Sequence, residues 1–252
     1  EYIVNRFNAV NTNSIVSDYN DLNLTKMIIE KNIIFEQKLF NNKEFDLSAT
    51  RPLLGLFLTL TENIKKLNVI DFGGGGGNHY HISKFLFYNN LQLNWKIIET
   101  EKMVNSAKEN YSYTDLTYFN SLKELKGDKA KYDILMASSS LQYCENIDEI
   151  LEDIIELSPT NLFISKTPFT LDQENLGSPQ FSNFADNGPG PMPPGYNNSI
   201  VSYPIYIRNL NSLCDKLSNK YELAFKIKEE SNGFKVNDAY YDCYGLYFQL
   251  KP

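Results

Sequence analysis

The sequence predicts an α/β protein with a doubly wound, mainly parallel sheet of seven strands, a C-terminal antiparallel hairpin and an N-terminal helical cap. Three observations predict this fold. From residue 67 onward, short apolar runs alternate with amphipathic stretches, which is typical of βαβ units. Five consecutive glycines directly follow the first of these apolar runs, 68–72. The last two apolar runs have no long connection between them, so we expect them to pair as an antiparallel hairpin.

Composition narrows the class of protein. The 252 residues carry a net charge of −7, which argues against nucleic acid or an anionic membrane surface as the main partner. The hydrophobic fraction of 42% is ample for a core and excludes a wholly disordered chain. The three cysteines lie far apart without metal-ligand spacing, so we expect reduced thiols in a cytoplasmic protein and no metal site. We also expect no secretion signal and no membrane span, because the longest apolar run, 53–60, falls short of the ~20 residues required.

Two helices are predicted before the first strand. Apolar residues within 24–40 recur at intervals of three and four, and 53–66 follows Pro52, a residue favoured at the first helical position. Together they suggest a helical cap over residues 1–66, in front of a main domain over 67–252. Two surface helices that only cover the sheet fit this pattern equally well.

Strands and helices then alternate through the main domain. The segment 68–72 reads as a buried strand, and the glycines after it lead into a helix that ends near Phe87. Further strands are predicted at 93–99, 116–119, 132–137 and 161–165, and further helices at 103–110 and 147–157. A helix at 210–217 and strands at 222–228 and 240–250 complete the chain.

A long loop is predicted between the fifth strand and the C-terminal segment. Residues 170–198 are rich in Gly, Pro and Asn, and 187–195 cannot form a helix or a central strand. Its apolar side chains, such as Phe181 and Met192, are unusual for a plain linker. We therefore expect a lid that folds over bound substrate, with a disordered insertion as the alternative.

The glycine run carries the main functional signal. Glycines at 73–77 allow a sharp turn and the close approach of a ligand. The dinucleotide pattern G-x-G-x-x-G fails here, because its third small residue is missing from the registers that begin at Gly73 and Gly74. The spacing from Asp71 through Gly73, Gly75 and Gly77 is complete instead. A carboxylate at this turn would repel a pyrophosphate but suits a ligand that carries an ammonium and a sulfonium, as S-adenosylmethionine does. A merely flexible glycine loop is the alternative, although the position between strand and helix disfavours it.

An acidic residue follows the second predicted strand. Glu99 lies at the carboxyl end of that strand, where a carboxylate can accept both hydroxyls of a ribose. The alternative is an acid that stabilises the dipole of the next helix, a role that Glu101 fits better.

With these motifs the chain resembles the class I S-adenosylmethionine-dependent methyltransferases from residue 67 to the C terminus. More narrowly, it resembles a methyltransferase family of bacterial surface-polysaccharide gene clusters. The matching stretches are VIDFGG (69–74), NHY (78–80), IE (98–99), SSSLQY (138–143), ISKTPF (164–169) and YPIY (203–206). The sequence departs from the family at Thr100 and Glu101, where Gln-Pro is expected, and at Lys166, where Arg is usual.

The resemblance implies a Rossmann-like sheet and an enzyme that uses S-adenosylmethionine to O-methylate a sugar or sugar-linked acceptor in capsule polysaccharide biosynthesis. The implied cofactor-binding residues are Asp71, Gly73, Gly74, Gly75 and Gly77 at the methionine end, Glu99 at the ribose, Asn120 and Ser121 near the adenine, and Ser138 and Ser139 beneath the cofactor. Asp133 begins its strand at the opposite end of the sheet, so we interpret it as structural.

Candidate catalytic residues come from the histidines and tyrosines. His79 and His81 start the helix after the glycines, where the helix N-terminus disfavours a charged imidazolium. Residues two apart point to nearly opposite faces, so we expect one histidine to reach the pocket and prefer His79 as general base. A role for it in cofactor positioning, or none, fits the sequence equally well. Tyr143 and Tyr196 complete the candidates, and we expect Tyr196 and Tyr203 to approach the acceptor.

Other functions stay open at this point. Nothing in the residues excludes methyl transfer to a phosphoryl oxygen or a nitrogen. A catalytically inactive subunit that binds S-adenosylmethionine would also keep the glycines and Glu99. An NAD-dependent reductase is disfavoured by the glycine spacing and by Asp71.

Overall fold

The computed structural model of the chain describes residues 2–3, 15–16, 21–45, 50–60, 64–87, 90–128, 130–171, 175–236 and 239–252. The strands in these ranges are β1 (Tyr2–Ile3), β2 (Ile15–Val16), β3 (Lys66–Phe72), β4 (Gln92–Ile98), β5 (Leu116–Phe119), β6 (Ile134–Ser138), β7 (Asn161–Thr170), β8 (Leu176–Asn183), β9 (Ile200–Asn209), β10 (Tyr221–Val236) and β11 (Ala239–Leu250). The helices are α1 (Leu22–Asn42), α2 (Leu53–Thr59), α3 (Asn78–Phe87), α4 (Glu101–Asn110), α5 (Ile147–Leu157) and α6 (Leu210–Leu217).

The central sheet has the strand order β5-β4-β3-β6-β7-β11-β10, with β1 beyond β10. Strands β3 to β7 run parallel, whereas β11 is antiparallel to both β7 and β10. The predicted mainly parallel sheet with an antiparallel C-terminal hairpin is confirmed. The chain moves outward from β3 through β4 to β5 and then returns to β6 on the other side of β3. This reversal leaves a crevice at the carboxyl ends of β3 and β6, which is where ligands bind in open α/β sheets.

Both faces of the sheet are covered, which explains why its central strands read as nearly continuous apolar runs. Val69 and Trp95 point into one core, where α1 to α4 pack. Ile70 and Leu135 point into a second core on the opposite face, under α5 and α6. No helix in the described ranges is long and apolar enough to cross a bilayer.

The predicted N-terminal cap is described only in part, because most of residues 1–20 lie outside the described ranges. Helix α1 begins where the Asp21 side chain accepts a hydrogen bond from the Leu24 amide at 2.9 Å. The prediction of one helix over 53–66 is wrong at its C-terminal end. Helix α2 stops at Thr59, Leu60 has extended backbone, and β3 has begun by Lys66. Residues 61–63 of that prediction lie outside the described residues.

The expected structureless loop over 170–198 is also wrong in part. β8 occupies Leu176–Asn183 and pairs antiparallel with β9, which in turn pairs with the end of β7. Pro179 lies directly opposite Pro204, so a single position without ladder hydrogen bonds accommodates both missing N–H groups. The Gly- and Pro-rich part, 187–195, contains no helix or strand, as predicted. Residues 172–174 lie outside the described residues.

Candidate active site

A cavity of about 600 Å³ opens at the carboxyl ends of β3, β4, β5 and β6. Six of the side chains and turns expected at the site lie in its lining: Gly73, Glu99, Asn120, Ser121, Ser139 and Tyr143. They come from four strand ends that are distant in sequence and adjacent in the sheet. The parallel topology therefore brings the sequence motifs to one edge.

The turn after β3 requires glycine at defined positions. Gly73, Gly75 and Gly77 have φ of +72°, +57° and +93°, in the left-handed region that other residues rarely adopt. A Cβ on Gly73 would lie 2.3 Å from the Cβ of Ser140, whereas one on Gly75 would meet nothing within 4 Å. The loop is therefore closed against β6 at its start and open at its middle.

Glu99 bridges the ends of β4 and β3. Its Oε1 accepts a hydrogen bond from the Gly75 amide at 3.0 Å, and its Oε2 accepts one from the Thr100 amide at 2.9 Å. Burial raises the pKa of Glu99 above its ordinary 4.5, and these two N–H groups oppose that rise. Each carboxylate oxygen keeps a further lone pair, so the group can still accept hydrogen bonds from a diol in the cavity.

Apolar side chains form another part of the same lining. Phe72, Ile98, Leu122 and Ile150 flank the cavity beside the polar turn at Asn120. Apolar side chains together with polar groups suit a flat heteroaromatic ring that carries hydrogen-bonding atoms. The sequence reading missed these four residues, because apolar residues at strand ends cannot be distinguished from core residues by pattern.

Asp71 and His79 form a buried pair beneath the glycine turn. His79 Nδ1 lies 3.1 Å from Asp71 Oδ2, and Trp95 Nε1 donates to the same oxygen at 3.3 Å. Asp71, which the resemblance assigns to the methionine end of the cofactor, is 0% exposed, because Gly74 closes over its carboxylate. The His79 side chain is 11% exposed. Neither Asp71 nor His79 is in the lining of this cavity.

The two histidines face different surroundings, as their spacing predicts. His81 is fully buried, and its Nδ1 lies 3.3 Å from Oε1 of Glu36 on α1. Burial favours a higher pKa for Glu36, but the contacts with His81 and Tyr113 outweigh it and lower the pKa. His81 therefore points toward α1 and its aromatic neighbours, whereas His79 points toward Asp71.

A smaller cavity, of about 160 Å³, lies between the ends of β6 and β7 and the β8–β9 hairpin. Ser139 and Tyr143 line both cavities. Ser139 has φ of +54°, and its hydroxyl accepts a hydrogen bond from Gln142 Nε2 at 3.0 Å. Of the two tyrosines expected near an acceptor, Tyr203 lines the smaller cavity and Tyr196 does not. The Tyr196 ring instead stacks on Phe184 with centroids 6.2 Å apart.

A bend in β7 brings Lys166 into the lining of the smaller cavity. Lys166 has φ of +50°, and its amide donates to the Glu229 carboxylate on β10. The Ser165 hydroxyl donates to the same carboxylate at 2.8 Å. The acid from β10 therefore holds the strand in its bent form.

Four other expected site residues, Gly74, Gly75, Gly77 and Ser138, are absent from the lining of either cavity. Asp133 accepts a hydrogen bond from the Asn68 amide at 2.7 Å and so ties together the starts of β3 and β6, in line with a structural role.

Comparison with known proteins bears on the fold. No family model matches the sequence, and no curated protein gives a significant match. An S-adenosylmethionine-dependent methyltransferase from Clostridium acetobutylicum superposes with a TM-score of 0.52 at 12% identity, covering 88% of this chain and 99% of that one. A candidate enzyme of the same kind from Listeria monocytogenes gives 0.50 at 13% identity, covering 82% of this chain and 100% of that one.

The chain has the methyltransferase fold. The glycine turn after β3 and the acid after β4 lie at the same edge of the sheet, where the Gly75 amide donates to Glu99. Identities of 12–13% establish the fold alone.

Proposed function

We propose that this protein is an S-adenosylmethionine-dependent methyltransferase that binds its cofactor in the 600 Å³ cavity. One observation carries the proposal: Glu99 joins the end of β4 to the glycine turn of β3, next to the reversal of strand order between β3 and β6. A carboxylate with spare lone pairs beside an open glycine turn fits a ligand that has both a ribose and a positively charged end.

In this proposal, the lining residues at the carboxyl ends of the strands correspond to the successive parts of the cofactor. Asn120 and Ser121 share the lining with these apolar side chains and would hold the adenine, and Glu99 would accept hydrogen bonds from the ribose hydroxyls. The turn at 73–77 would receive the methionine end, with Ser139 lining the floor between the two cavities. When bound, the cofactor supplies an electrophilic methyl group on a sulfonium.

We propose a sugar hydroxyl, or a sugar-linked small molecule, as the acceptor, in the assembly of a surface polysaccharide such as a capsule. The family resemblance and the polar lining of the smaller cavity support this substrate class. All three cysteines are free thiols, which agrees with a cytoplasmic site of action.

The protein's own contribution to the reaction is alignment and proton removal. Holding acceptor and donor together can contribute about 7–11 kcal/mol. His79 stays the candidate general base from the sequence: Asp71 orients it through Nδ1, which leaves Nε2 as the nitrogen for proton removal, although His79 is in the lining of neither cavity. Tyr143 lies between the two cavities, where it can position the acceptor, while Tyr196 remains a candidate from the sequence.

Calorimetric titration with S-adenosylmethionine, S-adenosylhomocysteine and NAD tests the cofactor assignment. We expect the first two to bind and NAD not to bind. Binding of NAD alone would refute the proposal. Release of S-adenosylhomocysteine with neutral sugars, sugar phosphates and amines as acceptors then tests the reaction. Binding without turnover on any acceptor would favour an inactive cofactor-binding subunit.

A further inference from the structure

Gln180 on β8 has a buried side-chain oxygen without a partner. The residue is 2% exposed and lies in the lining of the smaller cavity. No described residue donates a hydrogen bond to its Oε1. Leaving a buried amide oxygen unsatisfied is costly, and such atoms in native proteins usually have a partner from outside the chain. The oxygen is therefore placed to accept a hydrogen bond from a ligand.

The rest of the lining is polar and, taken together, uncharged. Lys166 and Asp186 are its charged residues, and their charges cancel. The hydroxyls of Ser182 and Tyr203 lie 3.0 Å apart in the same lining. Phe234 adds an apolar surface. Hydroxyl and amide groups around an aromatic face match a ring that has hydroxyls at its rim and C–H groups on its face.

A buried lysine fixes the segment 185–187, which lies on one side of the cavity. Lys31 of α1 is 1% exposed and donates to the carbonyl oxygens of Ala185 at 2.8 Å and Asn187 at 2.7 Å. These bonds hold the backbone where Asn187 and Gly188 enter the lining. The cavity is therefore formed before any ligand arrives, which reduces the ordering cost of binding.

We infer that the smaller cavity is the acceptor site, that it holds one neutral sugar ring, and that Gln180 Oε1 accepts a hydrogen bond from a hydroxyl of that ring. This inference rests on the proposed function, because the cavity adjoins the proposed cofactor site through Ser139 and Tyr143. A phosphorylated acceptor would need a surplus of positive charge that the lining does not have. An amine acceptor would be protonated in water and would need a surplus of negative charge, which is also missing.

The test uses the full-length protein saturated with S-adenosylhomocysteine and a panel of neutral hexoses, deoxyhexoses and their methyl glycosides, with hexose phosphates and amino sugars as the charged comparison. Binding is measured by ligand-observed NMR and calorimetry in the wild type and in Gln180→Leu. Leucine removes the unsatisfied amide oxygen while nearly conserving volume, so we expect the variant to fold with little change in thermal stability. Gln249→Leu is the matched control, since Gln249 is exposed at the opposite end of the sheet, where it pairs with Asn161.

We expect at least one sugar of the panel to bind, and Gln180→Leu to weaken that binding by about tenfold. Affinity for S-adenosylhomocysteine should be unchanged in both variants, and Gln249→Leu should bind the sugar like the wild type. The inference is overturned if no neutral sugar binds, if only phosphorylated or amino compounds bind, or if Gln180→Leu binds the sugar normally. Loss of S-adenosylhomocysteine binding in the wild type would instead refute the proposed function itself.

Discussion

Asp71 and His79 are eight positions apart in the sequence, and their side chains meet 3.1 Å apart under the glycine turn. The sequence indicates that an acid precedes this turn and a histidine follows it, because Asp71 lies just before the glycines and His79 lies just after them. It does not indicate their contact, because the chain must fold back over Gly74 before the carboxylate is enclosed. The burial of Asp71 changes what its removal should do.

We expect Asp71→Ala to destabilise the fold rather than only weaken cofactor binding. The substitution leaves the indole N–H of Trp95 and Nδ1 of His79 without their buried acceptor. Each orphaned group costs about 1–3 kcal/mol. Urea unfolding monitored by the fluorescence of Trp95 measures the loss, and Asp71→Asn should lose less because it keeps an acceptor oxygen. An unchanged free energy of unfolding in Asp71→Ala would contradict the structural role.

Glu99 should make cofactor affinity depend on pH. Burial raises its pKa, so the carboxylate takes up a proton at a higher pH than an exposed glutamate. The protonated form has lost acceptor capacity, so affinity for S-adenosylhomocysteine should fall as the pH is lowered through that raised pKa. Glu99→Gln should bind about tenfold or more weakly, consistent with ~1.5–3 kcal/mol for charged hydrogen bonds, and should show a flatter pH profile. Glu101→Gln, in the first turn of α4, is the control and should retain the wild-type profile.

His79→Ala should lower kcat by about 10²–10⁴ while changing S-adenosylhomocysteine affinity little, since a general base acts on the acceptor proton. His81→Ala removes a side chain that faces Glu36 and should mainly reduce stability. Single-turnover rates and calorimetry on both variants separate these effects. A larger rate defect in His81→Ala would show that the wrong histidine was chosen.

At the scale of secondary structure, burial decides which elements can be read from sequence. β3, β4, β6 and the first half of β7 are mostly buried, so their positions were predicted to within about three residues. β8 was missed because it contains Gly177 and Pro179, which carry little strand propensity. Its conformation comes from pairing with β9, an interaction between segments that no local pattern records.

We expect Lys31→Met to loosen the connection between α1 and the segment after β8. The substitution leaves the carbonyls of Ala185 and Asn187 without their buried donor, at a cost of about 1–3 kcal/mol. Chymotrypsin should then cleave faster near Tyr196. Lys26→Met on the same helix replaces an exposed lysine and should cleave like the wild type. Equal cleavage in both variants would show that Lys31 does not hold this segment.

At the scale of the whole molecule, the candidate site is assembled from strand ends spread between residues 72 and 234. The sequence places these ends at one edge because parallel strands share a direction. It does not show which side chains turn into the cavities. Ser139 and Lys166 adopt positive φ without being glycine, and their conformations depend on partners such as Gln142 and Glu229. The smaller cavity was therefore not predictable, although Lys166 stood in a recognised motif.

Because the two cavities share lining residues, we predict that cofactor binding protects the segment 187–195 from proteolysis. Because a ligand that binds only the native state stabilises it by mass action, S-adenosylhomocysteine at 100 times its Kd should raise the free energy of unfolding by about 2.7 kcal/mol. Chymotrypsin cleavage near Met192 and Tyr196 should slow as well, and more so when an acceptor sugar is added, because Gly188 and Asn187 line the smaller cavity. Glu99→Gln at the same ligand concentration is at only about 10 times its own Kd if it binds tenfold more weakly, so its stabilisation should fall to about 1.4 kcal/mol and the slowing of cleavage should shrink with it. If the ligand raises stability in the wild type but leaves cleavage at these sites unchanged, the segment opens independently of the site and does not act as a lid.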